Sequence, residues 1–259
     1  MPSRAVGIIP ARHGSTRFPG KPLALIGGTP MIQHVWRRAA RARLLDGLLV
    51  ATDDRRIFDC VSGFGGRAVM TSKAHATGTD RLAEALSKLG ARGSRFGIVV
   101  NIQGDEPLVA PGAIDALVRR LRRDPAASMA TPVCRTRDPE EVLSPNTVKV
   151  ALDRRGRALY FSRSPIPHFR DGGAGERPLY YKHIGLYAYR RAFLRRFRSW
   201  PRGPLERAES LEQLRALEHG AVIAAVVLNR GWPAVDTPDD LKRAARLMDA
   251  KRPASPRKG

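Results

Sequence analysis

The stretch from Ala5 to Lys21, A-V-G-I-I-P-A-R-H-G-S-T-R-F-P-G-K, is the most informative part of the sequence. It begins as a short apolar run, typical of a buried strand, and Pro10 is expected to end ladder pairing because proline has no N–H to donate. A polar loop follows, with glycine, proline and three cations, Arg12, Arg17 and Lys21. Exposed N–H groups and cations both attract phosphate, so this strand and loop predict an anion site.

The loop does not follow the best-known phosphate-binding patterns. In the Walker pattern, a glycine should stand where Ser15 is and a metal-binding hydroxyl where Pro22 is. The dinucleotide pattern G-x-G-x-x-G is also missing from this stretch. We therefore expect a phosphate loop of another kind, with any metal held elsewhere. A solvated basic turn is the alternative, but ligand sites of α/β proteins lie directly after buried strands.

Strands and helices alternate in the first half of the chain, which predicts an α/β fold with a Rossmann-like, mostly parallel sheet and helices on both faces. Further strands are expected at Leu48–Ala51, Arg67–Met70 and Phe96–Ile102. Helices are expected at Pro30–Arg43, from a cap at Thr52–Asp54 to Phe64, at Thr79–Leu89 and at Pro111–Arg123.

After Ala127 the rhythm changes to a strand-rich insertion, about 129–189, which we interpret as an antiparallel or mixed excursion. Its expected strands are Met129–Cys134, Thr147–Leu152, Arg157–Phe161 and His183–Tyr189, with a flexible loop at Asp171–Arg177. Helices at Arg190–Arg198, Pro204–His219 and Pro238–Ala250 and a strand at Ala221–Leu228 should complete the fold. One domain, 1–250, and a basic disordered tail, 251–259, are predicted.

The composition excludes several classes of protein. The chain has 259 residues and a net charge of +22, from 46 basic and 24 acidic side chains. The cations are spread along the chain without a recognition motif, so an anionic substrate is favoured over nucleic acid. No apolar run is long enough for a membrane span or a signal peptide, which predicts a cytoplasmic protein. The two cysteines form no C-x-x-C pair and are expected to be free thiols.

A second informative stretch is N-I-Q-G-D-E-P at 101–107. An apolar strand that ends in Gly-Asp-Glu brings carboxylates to the same sheet edge as the first loop. Mg²⁺ is commonly held by one or two carboxylates together with phosphate oxygens, so Asp105 is a candidate ligand. Asp105 and Glu106 could instead only cap the next helix.

Two helix starts carry polar residues of interest. V-D-T-P-D-D at 235–240 is on its own an ordinary start, with Thr237 or Asp236 as the cap and proline in the first turn. H-A-T-G-T-D-R-L-A-E at 75–84 is consistent with a helix capped by Thr79. A glycine at such a start would also let a flat base approach the backbone.

The pattern I-P-A-R-x-x-S-x-R-x-P-G-K-P at 9–22 resembles the sugar-acid cytidylyltransferases, which make CMP-activated 3-deoxy-manno-octulosonate (Kdo) or CMP-sialic acid. Later motifs resemble the same family: the stretches at 75–81, 101–107 and 235–240, N-T-V-K-V at 146–150, A-L-Y-F-S-R at 158–163, K-H-I-G-L-Y at 182–187 and L-E-Q-L-R at 211–215. The resemblance spans about 5–248, and its later motifs favour the Kdo branch.

The resemblance implies a fold of the nucleotide-diphospho-sugar transferase type and a nucleotidyltransferase that makes CMP-Kdo and diphosphate from CTP and Kdo, for lipopolysaccharide biosynthesis. Mg²⁺ would be held by Asp105 and Asp236. The implied catalytic residues are Arg12, Lys21 and Asp105. The implied nucleotide-binding residues are Pro10, Ala11, Arg12, Ser15, Lys21, Thr77, Gly78, Arg81, Gln103 and Asp105. The implied sugar-binding residues are Arg163, His183, Tyr187, Glu212 and Gln213.

Three alternatives remain open: a cytidylyltransferase for sialic acid or 8-amino-Kdo, a sugar-1-phosphate nucleotidyltransferase for another base, and a nucleic-acid-binding protein. A homodimer is also expected, because an excursion leaves strand edges and apolar faces uncovered unless a partner packs on them. The apolar residues in question are Val148, Val150, Leu152, Leu159, Tyr160 and Phe161. The resemblance implies a dimer through the same region.

Overall fold

The computed structural model describes residues 3–14, 18–75, 77–170 and 179–249. The strands are β1 (Arg4–Ala11), β2 (Leu25–Ile26), β3 (Thr29–Pro30), β4 (Gly47–Thr52), β5 (Ala68–Met70), β6 (Phe96–Asn101), β7 (Met129–Thr136), β8 (Lys149–Leu152), β9 (Ala158–Ser162), β10 (Tyr180–His183), β11 (Tyr187–Arg190) and β12 (Ile223–Leu228). The α-helices are α1 (Met31–Ala39), α2 (Arg55–Gly63), α3 (Gly78–Lys88), α4 (Ala91–Ser94), α5 (Pro111–Arg123), α6 (Pro139–Leu143), α7 (Arg191–Ser199), α8 (Pro204–Glu209), α9 (Gln213–Glu218) and α10 (Pro238–Asp249). The predicted loop at 171–177 and tail at 251–259 lie outside the described residues.

One large sheet runs through the molecule in the order β5-β4-β1-β6-β11-β7-β10-β8-β9. β5, β4, β1 and β6 are parallel, whereas β11 is antiparallel to both of its neighbours, β6 and β7. β11 and β10 share one edge of β7, and β12 pairs in parallel along the other. The predicted α/β fold with a mostly parallel sheet is therefore confirmed.

The core lies on both faces of this sheet. β1 is buried on both sides: Ile9 belongs to a cluster with apolar residues of α1, α2 and α5, and Ile8 to a cluster with those of α3, α7 and α9. Strands covered on both faces have nearly continuous apolar sequences, which explains the pattern at the start of the chain. The predicted helices on both faces are thus present.

Pro10 does not end the first strand, as the sequence predicted. It pairs with Ala51 of β4, and that ladder continues to Ala11. The pairing of β1 with β6 stops at Ile8, whose carbonyl accepts the Ile102 N–H at 3.0 Å. Pro10 lies two residues after Ile8, so its backbone nitrogen faces the side of β6. The pairing with β6 has already ended there, so the missing N–H of Pro10 removes no hydrogen bond between strands.

The strand predicted at His183–Tyr189 is two strands, β10 and β11. Opposite the break between β10 and β11 lies Pro132 of β7, which has no N–H to donate to the Leu186 carbonyl. The Thr131 hydroxyl lies 2.8 Å from the Leu186 carbonyl and satisfies it instead. The Ile184 N–H still donates to the Pro132 carbonyl, at 3.1 Å.

The helix predicted at Pro204–His219 is also divided, into α8 and α9. Ser210 stands between them in the left-handed region, with φ 52° and ψ 46°. A helix cannot continue through that conformation, and a serine, unlike a glycine, gives no clear warning of it. The hairpin of β2 and β3 and the short helices α4 and α6 were likewise not predicted.

The strand-rich region is continuous with the main sheet and is not a separate excursion. Val150 and Phe161 are fully buried in the core, whereas Leu159 is 62% exposed. The expectation that these apolar groups would be left uncovered was therefore wrong for Val150 and Phe161, whereas Val148, Leu152 and Tyr160 are half-buried. The homodimer remains a prediction.

Two simpler expectations concern membranes and cysteines. None of the helices in the described ranges has the length and apolar character needed to cross a bilayer. Cys60 and Cys134 are free cysteines, as predicted, and Cys134 is buried.

Candidate active site

A cavity of about 300 Å³ opens where β1 and β6 end. Its lining residues are Pro10, Ala11, Arg12, Lys21, Pro22, His75, Thr77, Gly78, Arg81, Gln103, Gly104, Asp105 and Asp236. The structure thus brings the predicted nucleotide and metal residues to one place, apart from Ser15, which lies outside the described residues. Their individual roles remain predictions.

The end of the first loop is fixed by Gly20. This residue has φ 71°, and its N–H donates to the His13 carbonyl at 3.0 Å. A side chain here would be strained, since its Cβ would also lie 3.2 Å from His13 Nε2. A single 3₁₀ turn, Lys21–Leu23, follows directly. The loop therefore delivers Lys21 to the cavity from a defined backbone position.

Lys21 lies between the two predicted metal ligands. Its Nζ is 2.6 Å from Asp105 Oδ2 and 3.3 Å from Asp236 Oδ1. The ammonium attracts both carboxylates and so counters their mutual repulsion.

Asp236 reaches this position from the segment before α10. The Val235 N–H donates to the Asp105 carbonyl at 2.9 Å, which ties that segment to the end of β6. Thr237 caps α10: its hydroxyl accepts the Asp240 N–H, and its own N–H donates to Asp240 Oδ2. Of the two predicted caps the structure selects Thr237, and the side chain of Asp236 extends to Lys21.

The carboxylate pair fits a divalent metal. A cationic nitrogen already lies within 3.3 Å of an oxygen from each carboxylate, so the geometry suits positive charge. The described residues contain no cluster of three or more histidine, cysteine or acidic side chains that could hold a metal. Two carboxylates completed by substrate oxygens are typical of Mg²⁺.

One wall of the cavity is the start of α3. Its N-cap is Thr77, whose hydroxyl accepts the Asp80 N–H at 3.1 Å, and not Thr79 as predicted. The Thr79 hydroxyl instead donates to Glu212 Oε2 at 2.7 Å. Two threonines lie at this helix start, and only the fold determines which of them caps it.

Arg81 lies in the cavity wall but is largely engaged within the protein. It is 3% exposed, and its guanidinium donates to Asp53 Oδ2 at 2.9 Å and to the Thr71 hydroxyl at 2.6 Å. These bonds attach α3 to the ends of β4 and β5. The geometry therefore supports a bracing role at least as well as direct contact with a nucleotide.

His75 lies at the same wall and is hydrogen-bonded through Nε2 to Glu84 of α3. Glu84 also accepts the Ser72 N–H at 2.8 Å and lies 2.9 Å from Lys88 Nζ. Burial would raise the pKa of Glu84, but hydrogen bonds from Lys88, the Ser72 N–H and His75 lower it to about 2. The loop before α3 is thus held by an ionised carboxylate.

Close packing of the two strand ends explains Gly104. A Cβ at Gly104 would lie 2.7 Å from the Pro10 carbonyl oxygen, a distance that real Cβ atoms do not show. Only glycine lets the N-I-Q-G-D-E-P stretch cross the end of β1 this closely. Gln103 and Asp105, on either side, therefore reach the cavity together.

Three of the five predicted sugar residues, His183, Tyr187 and Gln213, lie together at the break between β10 and β11. The rings of His183 and Tyr187 are 5.2 Å apart, and the Tyr187 hydroxyl donates to Gln213 Oε1 at 3.2 Å. Gln213 is 4% exposed, and its Nε2 is buried without a hydrogen-bond partner in the part of the chain that the structure describes. A buried unpaired donor is costly, so it is a candidate contact for a ligand.

The tautomer of His183 follows from its partner. The Thr131 hydroxyl is 2.8 Å from His183 Nε2 and 2.8 Å from the Leu186 carbonyl. Its one hydrogen goes to the carbonyl, so Nε2 of His183 must carry a proton and donate. Burial lowers the pKa of His183 to about 3, which keeps the ring neutral at pH 7. Nδ1 is then an acceptor suited to a hydroxyl group.

Arg163 lies at the end of β9, apart from this group. Its Nε donates to the Glu209 carbonyl at 2.7 Å and its Nη1 to the Pro145 carbonyl at 2.8 Å. The backbone N–H of Arg163 donates to the Glu209 carboxylate. These bonds fix the guanidinium and, within the described ranges, leave Nη2 as the donor suited to a substrate carboxylate.

Lys149 supports Arg163 and was not predicted as a site residue. It is fully buried, and its Nζ donates to the carbonyls of Ser144 (2.9 Å), Thr147 (2.6 Å) and Arg163. Burial lowers the pKa of the Lys149 ammonium. A lysine inside an apolar strand was the signal in the sequence, since such a charge needs several internal acceptors.

Glu212, predicted to bind the sugar, connects two helices. Its Oε2 accepts from Thr79 at the start of α3, and its Oε1 is 3.3 Å from Arg215 Nη2. Arg215 is also paired with the buried Glu206 through bonds of 2.6 and 2.9 Å. Burial raises the pKa of Glu212. A sugar contact from Glu212 remains a prediction.

One buried acid beside the cavity was not predicted as a site residue. Glu106 is 4% exposed and accepts a hydrogen bond from Trp232 Nε1 at 2.7 Å. Burial raises its pKa to about 8, against the effect of the indole bond and with a contribution from the charge of Asp105. Glu106 is next to Asp105 in the sequence, but its partner Trp232 is 126 residues away, so no motif could predict the contact.

Comparison with known proteins agrees with this geometry. Residues 6–223 match the family model described as cytidylyltransferase. The chain belongs to this family. The predicted resemblance and the predicted class of enzyme, a nucleotidyltransferase, are thereby confirmed.

Individual relatives of this cytidylyltransferase are similar over nearly their whole length. It is 54% identical to the 3-deoxy-manno-octulosonate cytidylyltransferase of Geobacter sulfurreducens, over 93% of this chain and 98% of that one. Identity is 55% to the enzyme of the same name from Syntrophobacter fumaroxidans, over 95% and 97% of the two chains. A solved structure of CMP:2-keto-3-deoxy-manno-octonic acid synthetase complexed with CTP superimposes with a TM-score of 0.90 and 44% identity, covering 96% of this chain and all of that one.

Proposed function

We propose that this cytidylyltransferase activates Kdo with CTP, giving CMP-Kdo and diphosphate. The observation that carries the proposal is the convergence of Lys21, Asp105 and Asp236 at the cavity between the first loop and α3. The relatives named for Kdo, at 54% and 55% identity, and the similar structure complexed with CTP support the choice of substrates.

CTP would occupy the cavity, with its phosphates along the first loop. Arg12 is exposed and Lys21 is near the carboxylates, so both can move onto phosphate oxygens. The base would lie at the start of α3, near Thr77 and Gly78, and Gln103 would close the other side. Arg81 and His75 would hold that wall in shape.

Mg²⁺ is the metal that we propose for Asp105 and Asp236. When bound, it would neutralise phosphate charge and make the α-phosphorus easier to attack. This role needs only two carboxylates from the protein, in agreement with the pair observed here.

Kdo would lie between the cavity and the break of β10 and β11. Arg163 Nη2 would bind its carboxylate, while His183 Nδ1 and Gln213 Nε2 would bind hydroxyl groups. The chemical step forms a bond from the anomeric hydroxyl oxygen to the α-phosphorus and breaks the bond from that phosphorus to the oxygen that bridges it to the β-phosphorus. The hydroxyl proton is released to solvent, and the bridging oxygen leaves with the diphosphate. Arg12 and Lys21 would stabilise the charge on the departing diphosphate.

Diphosphate release is the direct test of this function. Protein incubated with CTP, Mg²⁺ and Kdo should release diphosphate and form CMP-Kdo, and Asp105→Asn should not. Parallel reactions with sialic acid, 8-amino-Kdo, or a sugar 1-phosphate and other nucleoside triphosphates separate the alternative enzymes. Turnover in one of those parallel reactions and none with CTP and Kdo would contradict the proposal. Tight, sequence-selective DNA binding at physiological salt without any turnover would also contradict it.

Location, domain organisation and assembly complete the proposal. We propose one nucleotidyltransferase domain over 1–250 that works as a homodimer in the cytoplasm. Both cysteines are free, as is usual in reducing compartments. CTP and Kdo would be its small-molecule partners.

A further inference from the structure

Glu106 is a buried side chain that the proposed chemistry leaves unused. It directly follows Asp105, is 4% exposed, and its Oε2 accepts the Trp232 indole N–H at 2.7 Å. An indole has a single hydrogen-bond donor, and the indole of Trp232 donates to the carboxyl of Glu106, the residue next to the proposed metal ligand Asp105. The bond joins the end of β6 to a segment more than a hundred residues later in the chain.

That segment leads directly to the second metal ligand. Trp232 packs where two of the core clusters meet, and Val235 is fully buried in one of them. The Val235 N–H donates to the Asp105 carbonyl at 2.9 Å. The segment is therefore attached to Glu106 at one end and to Asp105 at the other, and the next residue is Asp236.

Glu106 also touches the proposed sugar side. Its Oε1 lies 3.2 Å from the position that a Cβ at Gly185 would take, within the break between β10 and β11. A Cβ at Gly231, beside Trp232, would likewise lie 3.2 Å from Ile184 Cδ1. Two later stretches of the sequence, at Gly185 and at Trp232, thus pack against this one carboxyl group.

We propose that Glu106 and Trp232 form a clasp that holds Asp236 at its distance from Asp105, so that Glu106 is a positioning residue for the metal-binding pair. This inference rests on the proposed metal site. Without the clasp, the segment before Asp236 would lose its bond to Glu106 and keep only the Val235 bond to Asp105, while Asp236 itself would keep its contacts with Lys21 and Asp240. Groups that orient metal ligands typically change metal affinity 10- to 100-fold when they are removed.

Four variants separate positioning from simple folding. Glu106→Ala removes the acceptor, and Trp232→Phe removes the N–H but keeps an aromatic ring. Glu106→Gln keeps an acceptor of the same shape and serves as the conservative rescue. Trp36→Phe is the matched control, because Trp36 is also half-buried but packs near Phe64, away from the cavity.

The readout is Mn²⁺ bound to folded protein with CTP, measured from the free-ion signal in electron paramagnetic resonance. Glu106→Ala and Trp232→Phe should raise the Mn²⁺ dissociation constant at least about tenfold. Glu106→Gln and Trp36→Phe should stay within about twofold of wild type. The Mg²⁺ concentration for half-maximal activity should rise in parallel, with the KM for CTP changed less. Melting temperatures confirm that each protein is folded.

Several outcomes would overturn the clasp. One is folded Glu106→Ala that binds Mn²⁺ with wild-type affinity. Another is a loss of Mn²⁺ affinity in Glu106→Gln as large as that in Glu106→Ala. A lowered melting temperature with unchanged metal affinity would assign the pair to folding alone. If Trp232→Phe does not fold, the two Glu106 variants still decide the question. Wild-type protein that binds no Mn²⁺ would overturn the metal site itself, and the clasp with it.

Discussion

Asp105 is the single residue on which the proposed chemistry depends most directly. It stands at the end of β6, its side chain is 29% exposed, and its main partner is the ammonium of Lys21. Asp105→Ala should therefore abolish diphosphate release while costing the fold only about 1 kcal/mol, as for other partly exposed pairs. Enzyme assays and thermal melts measure the two effects. More than about a tenth of wild-type activity with Mg²⁺ would show that Asp105 is not the essential ligand.

Lys149 should behave in the opposite way, with a large effect on stability. Its ammonium donates to three partly buried carbonyls, of which, in the described part of the chain, only that of Ser144 also accepts a backbone N–H, from Thr147. Lys149→Met would remove all three bonds and cost about 2–4 kcal/mol. Arg163 should also lose its fixed position, which would raise the KM for Kdo more than that for CTP. Urea unfolding and steady-state kinetics test both effects. Lys242→Met is the control, since that lysine is 69% exposed.

At the scale of elements, α3 is attached to the loop before it through Glu84. The pKa of Glu84 lies near 2 in the fold, below its ordinary value of 4.5. The bonds to Glu84 therefore stabilise the fold fully above about pH 4.5, and this contribution disappears as the pH falls towards 2. Glu84→Gln should unfold more easily than wild type at pH 7, with a difference that narrows by pH 3. Urea unfolding at both pH values tests this, with exposed Glu140→Gln as the control; an unchanged difference would refute it.

The sequence predicted most elements but not where several of them break. The apolar runs of β1 and β6 and the pattern of α5 were sufficient, because each element is buried or amphipathic over its whole length. The division at Ser210 depends on one backbone conformation, and the break after His183 depends on Thr131 in another strand. Such breaks arise from tertiary contacts, which hydrophobic periodicity does not record.

At the scale of the whole molecule, the motifs predicted where the site lies but not how its side chains are paired. The first loop and the end of β6 were expected at one sheet edge, and they meet there. Arg81 bonded to Asp53, and Glu212 bonded to Thr79, depend on contacts between distant parts of the chain. The same holds for Glu106, because no sequence motif contains both Glu106 and its partner Trp232.

Assembly is a further property of the whole molecule. β9 is the last strand in the order of the sheet, and Leu159 on it is 62% exposed. A sheet edge with an exposed apolar side chain is a common dimer contact. Light scattering should give twice the chain mass of 28.5 kDa, and Leu159→Asp should reduce it to one chain mass. Leu25→Asp, at a site 61% exposed, is the control. A single chain mass for the wild type would exclude the dimer.

The position of Lys21 also bears on the order in which reactants arrive. A free divalent ion would have to compete with an ammonium tethered between both carboxylates, at a high effective concentration. The triphosphate of CTP offers that ammonium another anion, so we expect the metal to enter as the counter-ion of the nucleotide. Calorimetry without nucleotide should then show weaker Mg²⁺ binding to wild type than to Lys21→Met. Equal affinities would mean that the lysine does not compete, and that the metal can arrive first.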